Sequence, residues 1–208
     1  MHAVGSRKAR RKSKGDCCGR YVGNRRDAEA IGQGWRSRHS LQSRPRRRND
    51  RRHDRTLVPA VAELGWHIQL HMQGDDIAAN ADLMTRLPVT VVFDHLGRIP
   101  QPAGTGHPAF AVIVAMPEKG KAYVKLSSIY QDTKVGPPSY EDMGALARAY
   151  LKMAPDRVLW ASDWPHPSPG KFGKPDDALL VDLSAEWASD DTTRQKIFVD
   201  NAAKLYGF

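Results

Sequence analysis

Cysteine is nearly absent from this chain of 208 residues. Cys17 and Cys18 are the only two, and they are adjacent. A structural zinc site takes about four spaced ligands, so the pair does not read as one. Free thiols and a cytoplasmic setting are the expectation. No run of 18 apolar residues occurs, which argues against a transmembrane helix. The amino terminus is basic but has no apolar signal core, which argues against secretion. No glycine-rich phosphate loop follows any expected strand, which weighs against a doubly wound dinucleotide-binding sheet.

Positive charge is plentiful but confined. The formal net charge is +9. Residues 1–55 hold 18 Lys/Arg against 5 Asp/Glu, a net of +13. Residues 56–208 hold 14 against 18, a net of −4. A basic tail beside an acidic domain is the simplest reading. Residues 1–55 have few apolar side chains and no period of 2 or 3.6, and a disordered or non-native leader is expected there. Three readings of it stay open: a solvated tail, an arm for nucleic acid or an acidic surface, or residues that are not native coding sequence.

Residues 56–208 alternate strand and helix signals. Strands begin near residues 66, 88, 122 and 157, giving repeats of about 22, 34 and 35 residues. Between them, Asp75 or Asp76 is a candidate cap for a helix bearing Ile77, Ala81, Met84 and Leu87. Pro108 opens a second helix. Ser139-Tyr140-Glu141-Asp142 resembles a capping box before the stripe Met143, Leu146, Ala147, Tyr150 and Leu151. The fold class expected is α/β: about four βα units forming the C-terminal part of a TIM-like barrel, whose closed form needs eight strands.

Three of the strands run out onto chemistry. Gly65–His71 ends on His71, with His67 and Gln69 on the same face; Val89–His95 ends on Asp94 and His95; Arg157–Asp163 ends on Asp163. Barrel enzymes carry their catalytic groups at this end of the strands. A neutral imidazole at His95 can bind a metal or a substrate oxygen. Asp163, set between Trp160 and Trp164, is expected to be desolvated and to serve as a general base. His166 could orient it or bind substrate. Lys125 and Ser127 share one strand face, with Tyr130 and Gln131 in the loop beyond.

These segments together resemble a known family. Gly65-Trp66-His67-Ile68-Gln69-Leu70-His71, Phe93-Asp94-His95-Leu96-Gly97-Arg98, Val124-Lys125-Leu126-Ser127, Trp160-Ala161-Ser162-Asp163-Trp164-Pro165-His166 and Asn201-Ala202-Ala203-Lys204-Leu205-Tyr206-Gly207-Phe208 are similar to amidohydrolase-related proteins, in the branch of 2-pyrone-4,6-dicarboxylate lactonase. The resemblance covers residues 56–208. It implies the C-terminal half of a barrel that hydrolyses a lactone, or a related cyclic ester or amide, with an activated water. Asp163 would activate the water and His95 would polarise the carbonyl. His71, Tyr130 and His166 would bind the substrate. A divalent metal such as zinc, with His95 and Asp163 as candidate ligands, and metal-independent hydrolysis both stay open.

Two departures stand out. The family opens with a His-x-His strand, and no such pair occurs here. The dicarboxylate lactonases carry a Tyr-Arg pair where this chain has Tyr130-Gln131. Losing that guanidinium removes a bidentate partner for a carboxylate. A chain with half the site is expected to be inactive alone, acting on a lactone or a carboxylate-bearing ring only when completed. Exposed strand edges invite self-association. The alternative is a basic-tailed protein binding nucleic acid or an acidic partner, with the half-barrel as scaffold; for the domain itself, nucleic acid and membrane are not the expected partners.

Overall fold

The computed structural model describes residues 54–208, apart from Lys119, together with the two-residue strand Asp16–Cys17. The expectation for residues 1–55 otherwise lies outside the described residues. Five strands lie parallel in the order β1 (Asp16–Cys17), β2 (His67–Leu70), β3 (Thr90–Phe93), β4 (Ala122–Leu126) and β5 (Val158–Trp160). The last four are the strands the periodicity predicts. The first was not anticipated, since two residues carry no period; Asp16 pairs with His67 and Cys17 with Ile68.

Each crossover between β2 and β5 carries helix, as parallel connections require. The helices are α1 (Asp54–Glu63), α2 (Gly74–Ala79), α3 (Ala81–Thr85), α4 (Pro108–Glu118), α5 (Ile129–Asp132), α6 (Glu141–Met153), α7 (Asp177–Trp187), α8 (Asp191–Gln195) and α9 (Asn201–Tyr206), with a wider turn at Lys196–Asp200 joining the last two. No helix among the described residues is long and apolar enough to cross a membrane.

Two capping assignments change. The first helix after β2 starts at Gly74 with Gln73 as its cap residue, and it breaks at Asn80 into two short pieces, so neither Asp75 nor Asp76 caps it. Ser139 is not the cap of α6 either. That helix starts at Glu141 after Tyr140, which adopts a left-handed φ of 43°. The order there comes from Asp142, whose carboxylate accepts from Thr133 Oγ1 at 2.6 Å, the Lys134 amide at 2.6 Å and the Met143 amide at 3.0 Å. A side chain serving a preceding loop outcompetes the local box.

The two sheet faces differ in chemistry. Val91, Phe93, Val124, Leu126 and Val158 pack beneath α4, α6 and α7, against Ile113, Met143, Leu146, Leu180 and Trp187 among others. This is the main core. On the opposite face, Val92, Tyr123 and Leu159 pack against Leu205, with Ala202 and Tyr206 of α9 beside them. Asn201 anchors α9 by donating to the carbonyls of Pro155 and Val158 at 2.8 and 2.7 Å. The helix therefore covers the amino-end half of that face. Its carboxyl-end half, bearing Gln69, Asp94, Lys125 and Ser127, is polar.

β3 leaves the sheet through a left-handed turn. His95, Leu96, Gly97 and Arg98 have φ of 54°, 53°, 73° and 48°. Gly97 is fixed by space as well as by φ, because a Cβ there would lie 2.2 Å from Ile113 Cδ1 in the packed core. Gly97→Ala combines left-handed strain with overpacking, each of order 1–2 kcal/mol. A loss of about 2–4 kcal/mol is expected in denaturant unfolding, and a change below about 0.5 kcal/mol would show that the turn relaxes freely.

Candidate functional site

The site is built where β2 to β5 end. Parallel pairing sets Lys125 beside Leu159 and Gln69 beside Val92, so like-facing residues of neighbouring strands line up. Beyond the regular strands the chain bends. His95 follows β3 in the left-handed turn, Ser128 follows β4 with φ of 53°, and Asp163 follows β5 with φ of 61°.

His95 and Asp163 meet. His95 Nε2 lies 3.9 Å from Asp163 Oδ1, too long for a direct hydrogen bond and close enough for the two groups to face one substrate. His95 Nδ1 is 2.8 Å from Ser127 Oγ. If the serine hydroxyl donates there, the imidazole proton sits on Nε2 and points toward the Asp163 carboxylate. That tautomer satisfies the donor-acceptor order of the whole chain of contacts. Burial pushes the His95 pKa below the ordinary histidine value, and the anions of Asp94 and Asp163 oppose that shift without cancelling it. His95 is thus held neutral.

Asp163 is covered differently from expectation. Trp164 is 74% exposed, and Trp160 faces Phe198 at 5.7 Å, so the two tryptophans do not enclose the carboxylate. Tyr130 does this instead. Its hydroxyl donates to Asp163 Oδ2 at 2.7 Å, and the residue is buried. Burial first, then the Asp163 carboxylate, pushes the Tyr130 phenol up to about 12. His166 is buried on the far side, with Nδ1 3.3 Å from the Tyr130 hydroxyl. The β5–α7 loop is held down at Gly170, where a Cβ would come within 2.0 Å of the Tyr130 carbonyl oxygen.

His71 stands against His95, the rings edge to face at 4.8 Å. Its Nε2 is 3.1 Å from Arg98 Nη1. Arginine can only donate, so Nε2 is the acceptor and the His71 proton sits on Nδ1. Arg98 in turn grips Asp132 through Nε at 2.6 Å and Nη2 at 2.9 Å, a bidentate pair. Deeper in the sheet, Lys125 Nζ donates to Gln69 Oε1 at 2.6 Å, Gln69 Nε2 donates to Asp94 Oδ2 at 3.2 Å, and Lys125 lies 3.6 Å from Asp94 Oδ1.

The structure therefore gathers His71, His95, Tyr130, Asp163 and His166 into one continuous cluster. Arg98 and Asp132 join it through His71, and Asp177 lies 3.1 Å from His166, while Gln69 and Lys125 meet Asp94, the residue before His95; none of these five has a role assigned from the sequence. Arg98 carries a usable signal, since an arginine five residues past a buried strand and next to Gly97 is poorly placed for a free surface. Asp132 and Asp177 carried none, because nothing in their own segments marks the partner they meet.

A catalytic divalent ion takes about three protein ligands. Among the described residues no group of three or more His, Cys, Asp or Glu side chains is placed to hold one. His95 and Asp163 make two, and His71 has its Nε2 committed to Arg98. The described residues do not by themselves form a metal centre.

Comparison with known proteins agrees with this architecture. A family profile described as amidohydrolase matches residues 25–208, starting inside the basic segment. A 2-pyrone-4,6-dicarboxylate hydrolase of Comamonas testosteroni is 37% identical over 158 residues, 72% of this chain and 52% of the relative. A 4-sulfomuconolactone hydrolase of Hydrogenophaga intermedia is 34% identical over 154 residues, 73% of this chain and 50% of the relative. An apo crystal structure from Agrobacterium tumefaciens superimposes with a TM-score of 0.67 at 25% identity, over 74% of this chain and 55% of that one. The chain spans about half the length of the curated relatives it matches.

The buried, neutral His95 makes stability depend on pH. Its folded pKa lies below the unfolded value near 6.5, so the unfolded state binds more protons just below that pH. Stability from this group is full above about 6.5 and falls as pH drops toward the folded pKa. His95→Gln should flatten the difference in unfolding free energy between pH 7 and pH 5, read by denaturant titration at each pH. An unchanged slope would mean that His95 titrates alike in both states.

Proposed function

We propose, from the premise that this chain belongs to the amidohydrolase family, that it supplies the water-activating half of a lactone hydrolase. The observation that carries the reading is the opposition of Asp163 and His95 across 3.9 Å at the strand ends. A water bound to Asp163 Oδ1 on its open side can give it a proton while its oxygen attacks the lactone carbonyl carbon. The Nε2 proton of His95 is placed to hydrogen-bond the carbonyl oxygen as negative charge develops on it. The tetrahedral adduct then collapses: the ring C–O bond breaks, the departing ring oxygen takes the proton of the adduct's new hydroxyl, and a hydroxy carboxylate is left with the first water proton on Asp163. Tyr130 steadies Asp163 by occupying Oδ2, which leaves Oδ1 for the water.

Hydrolases named for lactone and pyrone substrates among the relatives support the substrate class. They lend nothing to the alternative of a binding protein built on a half-barrel. The substrate is a small molecule, a lactone or a carboxylate-bearing ring. With Gln131 where a dicarboxylate lactonase has arginine, and with Arg98 already paired to Asp132, a second carboxylate finds no unpaired guanidinium in this cluster. A cytoplasmic setting belongs to the same proposal and rests on the scarcity of cysteine. So does self-association: β5 has a strand neighbour on one side only among the described residues, and such an edge can pair with another chain.

The His-x-His pair of the resembled family has no counterpart in this sequence, and losing members of a cooperative site costs orders of magnitude. The 208-residue chain alone should therefore show negligible lactonase turnover. Joined to the amino-terminal half of a lactonase relative, it should turn over a lactone, and Asp163→Asn should lower kcat by about 1,000-fold or more. Robust turnover by the 208 residues that survives Asp163→Asn would sink the role given to Asp163.

A further inference from the structure

The amino end of the sheet, opposite the strand ends that carry His95 and Asp163, holds a cavity of about 200 Å³. Its wall includes Arg157, Lys204, Thr90, Tyr123 and Leu205, and no carboxylate. Residues 56–208 carry a net charge of −4, so two cations facing one cavity with no acid in its wall run against the charge of their surroundings. Pockets for drug-sized ligands run from about 300 to 1,000 Å³, so this one suits a small ligand.

Both cations are held in place by the fold. Arg157 ends the short turn Pro155–Arg157 and leads into β5. Its guanidinium lies over the Tyr123 ring, 4.9 Å from the centroid, and Tyr123 is buried. Gly120 gives it room, since a Cβ there would come within 3.3 Å of Arg157 Nη2. Stacking uses the flat face of a guanidinium and leaves its N–H edge for a partner. Lys204 stands on α9, three residues beyond Asn201. Asn201 donates to the carbonyls of Pro155 and Val158, on either side of Arg157, so the helix bearing Lys204 is tied to the segment bearing Arg157. Among the described residues neither cation forms a salt bridge with a carboxylate. The neighbouring acid, Asp156, pairs with Lys196 at 2.8 Å and feels Lys204 and Arg157 only as weaker charges.

We propose that this cavity binds a small oxyanion, a phosphate or a carboxylate group, at a site separate from the candidate lactone site. Arg157 supplies a planar fork that can meet two oxygens at once. Lys204 supplies a mobile point charge, and Thr90 a hydroxyl. The three come from different elements: Thr90 opens β3, Arg157 precedes β5, and Lys204 belongs to α9. An anion held between them links the strand starts to the helix that covers that half of the sheet. A ligand that binds only the folded chain stabilises it in step with occupancy, so the anion acts as a staple. Nothing in this argument uses Asp163 or His95, and failure of the lactonase reading leaves it intact.

The test is calorimetric titration of the full 208-residue chain with inorganic phosphate, and in a second arm with acetate, at fixed ionic strength because salt screens every exposed charge. A saturable one-to-one component is expected with at least one of the two. The tighter anion identifies the ligand as phosphate or carboxylate. Arg157→Gln should weaken that component about 10-fold or more, as loss of a charge-assisted hydrogen bond does. Lys204→Gln should weaken it as well, and because Lys204 is exposed this variant leaves the packing intact. Lys152→Gln removes the same charge from the exposed end of α6 and should leave affinity unchanged. The melting temperature should rise with the bound anion in the parent chain, and the rise should shrink in Lys204→Gln. No saturable component with either anion would overturn the site. Affinity that survives both Arg157→Gln and Lys204→Gln would put the anion on other cations of the chain and would overturn it too. So would equal losses in Lys152→Gln and Lys204→Gln, which would mean an effect of net charge.

Discussion

The site depends on one constraint: three neighbouring parallel strands all leave the sheet through left-handed residues. His95, Ser128 and Asp163 have φ of 54°, 53° and 61°, and none is glycine. Each such residue costs of order 1–2 kcal/mol. The surrounding bonds over-determine them. Gly97 N donates to Asp94 O at 2.9 Å, Tyr150 donates to Leu96 O at 3.2 Å, and His166 N donates to Asp163 O at 2.8 Å. Had the chain continued in extended form, successive side chains would point to alternate faces, and His95 would fall on the face opposite Asp94. The turn returns it toward Ser127 and Asp163. Local strain and functional convergence are the same feature seen at two scales.

The sheet's two faces explain why this strain is tolerable. Beneath the helices the core is continuous from Ile77 to Ile197 and holds the strand register fixed. On the other face, α9 seals the amino-end half with Leu205 against Val92, Tyr123 and Leu159. Polar residues at the carboxyl ends are then free of packing duties. They are not free of each other. Lys125 is taken up by Gln69 and Asp94, and Arg98 by Asp132. Cations this well paired act on orientation more than on net charge. Arg98 fixes the proton of His71 on Nδ1, and the amide of Gln69 can satisfy a lysine and a carboxylate in only one orientation.

How far the sequence reveals this follows from the range of each interaction. Strands β2 to β5 were legible because their apolar runs are local and are bounded by Gly65, Pro88, Gly120 and Pro155. The positions of His71, His95 and Asp163 at strand ends followed from the same runs. Helix starts were less legible: Asp142 is committed to Thr133 and Lys134 of the preceding loop, which no capping pattern encodes. The surroundings of Asp163 were misjudged because adjacency in sequence suggested Trp164, whereas the shielding group is Tyr130, 33 residues away. Asp16–Cys17 joined the sheet without any period to announce it.

The pairing of remote groups also bears on how a half-site can be organised at all. Among the described residues, the contacts that orient His95 and Asp163 come from β2 to β5 and their loops: Ser127, Tyr130, His71 and, behind them, Arg98 and His166. A partner half could add carbonyl polarisation or substrate contacts without having to set these rotamers. The fixed placement of His95 and Asp163 is then a property of this segment itself, since the groups that lock them belong to the same strands and loops. That separates two requirements usually met together in a barrel. In the proposed reading, His95 and Asp163 are positioned by strand ends and buried hydrogen bonds on one side, and enclosure of a substrate is left to other parts of the mouth. Substitutions such as Gln131 can then alter what is bound without disturbing the order of protons around Asp163.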